Sequence, residues 1–234
     1  VRTLRKDHLT TLNVLVLLAT AITVVAVDVA PGTYLSGALA ASMFTRVFNL
    51  LLVGIGIVTT NRGNILDYEG VDMISHLLPP MIFIPTTAGS SADVSQFAII
   101  NNVEARTKIA IISKIVVPDI ALIDPETTTT MAPYLTACTG MDAMVHAVEA
   151  FVSTASSKIT DVHALEALRL LSRDLPQVLD CPEDMEIREN IMLASMEAGL
   201  AFSNAVLGAV HAMAHSLGGF LGLPHGECNS LLLE

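Results

Sequence analysis

A chain of 234 residues is long enough for one large domain or two small ones. A formal net charge of −11, with no basic stripe interleaved with aromatics, excludes the phosphate-backbone contacts that a nucleic-acid partner needs. With 52% apolar and 15% charged residues and a mean hydropathy of +0.61, the chain is expected to bury a large core, to hide apolar surface in an oligomer, or to lack parts that would cover it.

Residues 1–53 form an atypical apolar segment. Arg2, Arg5 and Lys6 precede an almost unbroken apolar run from Leu12 to Val27, and a second run, Leu35 to Val58, is interrupted by Arg46 and Asn49. A basic start, an apolar stretch and the Ala-Leu-Ala at 38–40 are features of a signal peptide. However, the stretch from Val14 to Val27 is shorter than the roughly twenty residues of a membrane span. The Ala-Leu-Ala also lies well beyond it. The expectation is a pair of buried strands or helices, with no membrane segment.

Residues 54–124 read as α/β protein. Apolar runs bounded by turn residues predict strands at Met81–Ile84 before Pro85, Phe97–Ile100 before Asn101, Ile109–Ile112, and Ile120–Ile123 between Pro118 and Pro125. After Pro125 the spacing turns helical. Thr160 is placed to cap a helix that carries Val162, Leu165, Leu168 and Leu171 and ends at Pro176. Glu186 to Ala201 puts Ile187, Ile191, Ala194 and Ala198 on one face. The expected boundary is Asp124–Pro125, dividing a partial α/β domain, 54–124, from a helical domain, 125–234.

Two stretches carry chemistry. The loop Pro85-Thr86-Thr87-Ala88-Gly89-Ser90-Ser91-Ala92-Asp93 follows a predicted strand directly, and its N–H and O–H donors suit a phosphate or ribose. Such clusters are more often plain loops. Lys108 could add a positive charge. No G-x-G-x-x-G is present, since Gly54-Ile55-Gly56 lacks the third glycine. The second stretch is stronger. Asp142 and His146, like His211 and His215, stand four residues apart, so on a helix each pair shares one face. All lie in apolar surroundings, and His225 follows shortly after. Buried carboxylate and imidazole groups need partners, and a borderline divalent ion such as Fe²⁺ or Zn²⁺ would satisfy them together. Cys138, Cys181 and Cys228 show no C-x-x-C spacing and fit a reducing, cytoplasmic setting. Cys228 could offer sulfur near His225, although a small buried thiol is its commoner role.

Taken together, GIGIVTTNRGNILDYEG, PPMIFIPTTAGSSADVS, VVPDIALIDP, TACTGMDAMVHAVEAF and GAVHAMAHSLGGFLGLPHGE resemble the iron-containing (group III) alcohol dehydrogenases. The resemblance runs from about Gly54 to the end. It implies a dehydroquinate synthase-like fold, with an N-terminal dinucleotide-binding α/β domain followed by an all-helical metal-binding domain. It also implies Asp142, His146, His211 and His225 as ligands to Fe²⁺, or to Zn²⁺ in some members, with His215 beside the metal near the nicotinamide ring. As an imidazole that titrates near working pH, His215 is the expected catalytic relay for the alcohol proton. Thr86, Thr87, Ser90 and Ser95 fall where the family contacts NAD or NADP, and Lys108 where a lysine reaches the ribose. The implied partners are a small alcohol or aldehyde and further copies of the chain.

Two departures go with the resemblance. The family carries a Gly-Gly-Gly-Ser pyrophosphate loop, then an Asp and a Lys, shortly before the stretch matching Gly54-Ile55-Gly56. This chain has Phe44-Thr45-Arg46-Val47-Phe48-Asn49-Leu50 there. Family members also continue for about a hundred residues beyond the last ligand. These departures make an inactive metal-binding remnant the alternative to a working dehydrogenase. An NAD-using, zinc-dependent lyase of the same fold is a further one.

Overall fold

The computed structural model describes residues 54–233 except 55, 59, 62 and 103. The expectations for residues 1–53 lie outside that range. Among the described residues, five strands form two small sheets. In the first, β1 (Gly70–Val71) pairs in parallel with β4 (Thr107–Ile112), which pairs antiparallel with β3 (Phe97–Asn102) from Phe97↔Ile112 to Asn102↔Thr107. In the second, β2 (Ile82–Phe83) lies parallel to β5 (Ile120–Ala121).

Each predicted strand has a counterpart, with altered limits. The β3 strand runs two residues further than its apolar run, because the Asn102 side chain accepts from Ala105 N and Arg106 takes a left-handed φ of 51° to reverse the chain. The β2 and β5 strands shrink to two residues each. Ile82, Ile84, Ile120 and Leu122, apolar though they are, stand exposed. The core of this part is Ile57, Tyr68, Ile74, Phe83, Ala98, Ile111 and Val116.

The last strand ends at Ala121 and five helices follow: α1 (Pro133–Val152), α2 (Lys158–Asp180), α3 (Met185–Ala205), α4 (Ala209–Leu221) and α5 (His225–Leu232). The first three pack around Ala143, Ala147, Ala167, Leu170, Leu171, Leu175, Val178, Ile191, Ala194 and Ala198. The many alanines at these contacts let helix backbones approach closely.

The reading of α2 needs three corrections. Its cap is Ser157, and Thr160 is the third helical residue of a capping box in which each side chain takes the other's backbone N–H. Pro176 lies inside the helix, which continues to Asp180; proline removes one backbone N–H and crowds the carbonyl four residues back, which does not oblige the helix to end. The buried face also turns, holding Ala164, Ala167, Leu170, Leu171 and Leu175, while Val162 and Leu165 are exposed. Large apolar side chains outweighed small alanines in the sequence pattern, yet it is the alanines that fit between the helices. The α3 face has Ile191, Ala194 and Ala198 buried as expected.

Helix α5 lies against α1 and α4. Gly226 permits this, since a Cβ there would collide with the Cys138 carbonyl of α1. Among the described residues no single helix is long and apolar enough to cross a membrane. Helices α3 and α4 together have the length, but they meet at a bend of 104°.

Candidate metal centre

The helical packing converges on one carboxylate. Asp142 and His146 sit one turn apart on α1, His211 is the third residue of α4, and His225 is the first residue of α5. From Asp142 Oδ1, the Nε2 atoms of His146, His211 and His225 stand 3.9, 3.5 and 3.6 Å away. The donor atoms of Asp142, His146 and His211 all lie within 4.8 Å of one another, and these three residues are buried. His225 comes to the same oxygen from a more open side, with 17% of its side chain exposed.

Two of the rings are held from behind or beside. The His146 Nδ1 lies 3.2 Å from the Gly89 carbonyl, and the ring is stacked between Phe202 and His211 at 4.2 and 4.4 Å. The His211 Nδ1 lies 2.6 Å from Glu149 Oε2. With Nδ1 set against an oxygen in both residues, Nε2 is the nitrogen left to face Asp142 and an ion. His225 Nδ1 is buried without a hydrogen-bond partner among the described residues.

Titration behaviour differs among the rings. Burial, partly offset by Asp142, pushes His146 down to about 4. His225 falls to about 3 mainly through burial, again against the pull of Asp142. Burial would raise Asp142, but the three histidines around it hold it well below the usual carboxylate range. His211 goes the other way. Burial disfavours its charge, yet carboxylates on both sides raise it.

His215 lies one turn beyond His211, half-buried, 4.8 Å from the His225 ring and edge-on to His211 at 6.1 Å. Burial and then the Lys108 charge push it down to about 4, so it is neutral at pH 7. Lys108, on β4, therefore faces the same cluster. Cys228 is fully buried, its thiol raised by burial, and lies outside the converging group.

The Ser/Thr loop leads into this site. Thr87 and Ser95 are buried and Ser90 half-buried. The Thr86 hydroxyl is buried with no hydrogen-bond partner among the described residues. Ser95 Oγ accepts from Phe97 N. Ser91 holds a left-handed φ of 51° and donates to the Ser195 carbonyl of α3 at 2.5 Å. Through Gly89 the loop and the metal-site helix are joined directly.

Sequence reasoning passed over two residues. Glu149, buried on α1, takes Val210 N and His211 N as well as the His211 ring. Burial would raise its carboxyl, but these bonds hold it at about 2. Asn229, fully buried on α5, places its Nδ2 2.7 Å from Asp142 Oδ1 and 3.1 Å from His211 Nε2. Both could be found by spacing. Glu149 is two turns from Asp142 on one face, and Asn229 is one turn from His225.

A mixed α/β part, followed by helices that surround a carboxylate–imidazole cluster, defines a metal-site protein of the dehydroquinate synthase-like class. Residues 54–125 match the iron-containing alcohol dehydrogenase family model, and residues 136–234 match the C-terminal model of the same family. The chain belongs to the iron-containing alcohol dehydrogenase family. It is 49% identical over 180 residues to alcohol dehydrogenase 4 of Schizosaccharomyces pombe, covering 77% of this chain and 43% of the relative. It is 42% identical over 180 residues to 1,3-propanediol dehydrogenase of Klebsiella pneumoniae, covering 77% and 46%. Among solved structures, a 1,3-propanediol oxidoreductase superposes with a TM-score of 0.76 at 36% identity, covering 88% of this chain and 57% of that one. The sulfoacetaldehyde reductase of Bifidobacterium kashiwanohense, in complex with NAD⁺, gives 0.71 at 30% identity, covering 88% and 58%. The chain spans about half the length of the curated relatives it matches.

Proposed function

We propose that this chain is the metal-site portion of an NAD(P)-dependent dehydrogenase acting on a small alcohol, with Asp142, His146, His211 and His225 holding Fe²⁺ or, alternatively, Zn²⁺. The observation that carries the reading is the convergence of three Nε2 atoms on Asp142 Oδ1 at 3.5–3.9 Å. Bonds of about 2.0–2.2 Å in a tetrahedral site set donors roughly 3.4 Å apart, so the cluster fits such an ion closely. One carboxylate and three neutral imidazoles also leave a divalent ion net positive.

Bound there, the metal supplies Lewis acidity that lowers the pKa of an alcohol hydroxyl. The nicotinamide cofactor supplies the hydride acceptor. Asp142 contributes the single negative charge, and Gly89 and Glu149 keep the His146 and His211 rings turned toward it. His215, neutral at pH 7 and beside His225, takes the hydroxyl proton and passes it toward solvent. The buried Thr86 hydroxyl, without a hydrogen-bond partner among the described residues, supports the loop, with Thr87, Ser90 and Ser95, as the place where the dinucleotide is gripped. Lys108 adds positive charge on the same side.

Relatives named as alcohol and propanediol dehydrogenases support a dehydrogenase over a lyase. The exposed Met213, Phe220, Leu221 and Leu231 support a homo-oligomer. We further infer a domain boundary at Asp124–Pro125 and a cytoplasmic location, the latter in keeping with three free cysteines.

The deciding experiment measures metal content and NADH binding on purified protein, beside His225→Ala. About one metal per chain with saturable NADH binding, both with turnover of a small alcohol, supports the proposal. Metal without NADH binding identifies the metal-binding remnant. Full metal occupancy in His225→Ala removes His225 from the ligand set.

A further inference from the structure

We infer that Glu149 is a positioning residue that sets the tautomer of the His211 ring and the placement of the helix carrying it. The inference rests on the metal reading above.

One carboxylate oxygen, Oε1, accepts from Val210 N at 2.7 Å and from His211 N at 3.3 Å, within the first turn of α4. The other, Oε2, meets His211 Nδ1 at 2.6 Å. The same side chain therefore caps the helix and turns the ring. Glu149 is only 5% exposed, and Gly208 makes room for it, since a Cβ there would stand 2.9 Å from Oε1. A carboxylate is acceptor-only, so Nδ1 carries the proton, which leaves Nε2 the nitrogen able to offer a lone pair to an ion. Nε2 faces Asp142 Oδ1 at 3.5 Å. Carboxylate–histidine–metal relays of this kind fix ring orientation and raise ligand basicity.

Glu149→Gln separates ring control from simple packing, because glutamine has the same size. If the amide oxygen stays on the backbone N–H groups, its NH₂ faces Nδ1 and drives the proton to Nε2, the wrong tautomer for a ligand. If the amide turns over, its NH₂ opposes the backbone donors and the cap is lost. Neither arrangement serves both partners.

The test uses the full chain and measures Zn²⁺ affinity by competition with a chromophoric chelator, with no turnover assay involved. Glu149→Gln should weaken Zn²⁺ binding by roughly 10- to 100-fold. In a His211→Ala background the same substitution should change affinity less than threefold, because the ring through which Glu149 acts is gone. Equal Zn²⁺ affinity in wild type and Glu149→Gln overturns the inference while leaving the metal reading intact. An equal loss in both backgrounds assigns Glu149 a purely structural role and also overturns it. Wild-type protein that binds no Zn²⁺ and no Fe²⁺ overturns the metal reading itself, and this inference with it.

Discussion

Asn229 donates its side-chain amide to Oδ1 of Asp142 at 2.7 Å, and both residues are buried. The hydrogen bond ties α5 to α1 at the level of the cluster and meets a carboxylate that has few other donors. Asn229→Ala removes a donor from a buried charge, so a loss of about 1–3 kcal/mol is expected in urea unfolding of chelator-treated protein. Asn229→Asp keeps the size but sets two carboxylates side by side. It should cost the chelator-treated protein more than alanine does, and added Zn²⁺ should recover more of that loss. Identical midpoints for all three proteins would mean that the bond contributes nothing.

A cluster that binds metal only when folded must also couple metal to stability. At a free concentration one hundred times Kd, a ligand binding the native state alone adds about 2.7 kcal/mol. Titrating Zn²⁺ into chelator-treated protein should therefore raise the unfolding midpoint steadily. Asp142→Asn, which removes the only anion among the four donors, should flatten that rise. A midpoint in Asp142→Asn that climbs as steeply as wild type would show the ion acting elsewhere.

Acid sensitivity follows from the same groups. His146 and His225 are held below the ordinary histidine value of 6.5, at about 4 and about 3. Their contribution is present above pH 6.5 and is lost as pH falls toward those values, because the unfolded chain takes up the proton first. Glu149, held at about 2 against an ordinary 4.5, adds a loss of the same sign between pH 4.5 and 2. His211, raised by its carboxylate neighbours, opposes them and stabilises in acid. Between pH 7.5 and 5 only the histidines count, and His146, His225 and His215, itself held at about 4, outweigh His211. The urea midpoint of chelator-treated protein should drop as pH is lowered from 7.5 to 5, and less so in His225→Ala.

The cluster was legible because helical spacing alone puts Asp142 over His146 and His211 over His215, and apolar neighbours made those groups conspicuous. The same spacing links His225 to Asn229, but an amide four residues from a histidine carries little chemical weight until Asp142 is seen beside it. Glu149 was hidden for a related reason. Its partners, Val210 N and the His211 ring, are some sixty residues away, and one of them is backbone. The limits of β2 and β5 were overread because an apolar run marks where a strand can form, while the ladder needs a partner strand to extend it. The face of α2 differs because packing puts Ala164 and Ala167 inside beside Leu170, Leu171 and Leu175, and leaves Val162 and Leu165 outside.

Gly226 shows how far the site depends on helix approach. A methyl group at this position would press on the backbone carbonyl of Cys138, which cannot move aside as a flexible side chain could. The easier adjustment is for α5 to back away from α1, carrying His225 and Asn229 from Asp142. Overpacking of this kind costs about 1–3 kcal/mol, so Gly226→Ala should lower the urea midpoint even with chelator present. The second effect is more telling. With His225 displaced, the extra stability that saturating Zn²⁺ confers on wild type should shrink in Gly226→Ala. A variant that loses stability yet gains as much from Zn²⁺ as wild type would show that the approach of α5 serves packing and leaves the metal donors where they were.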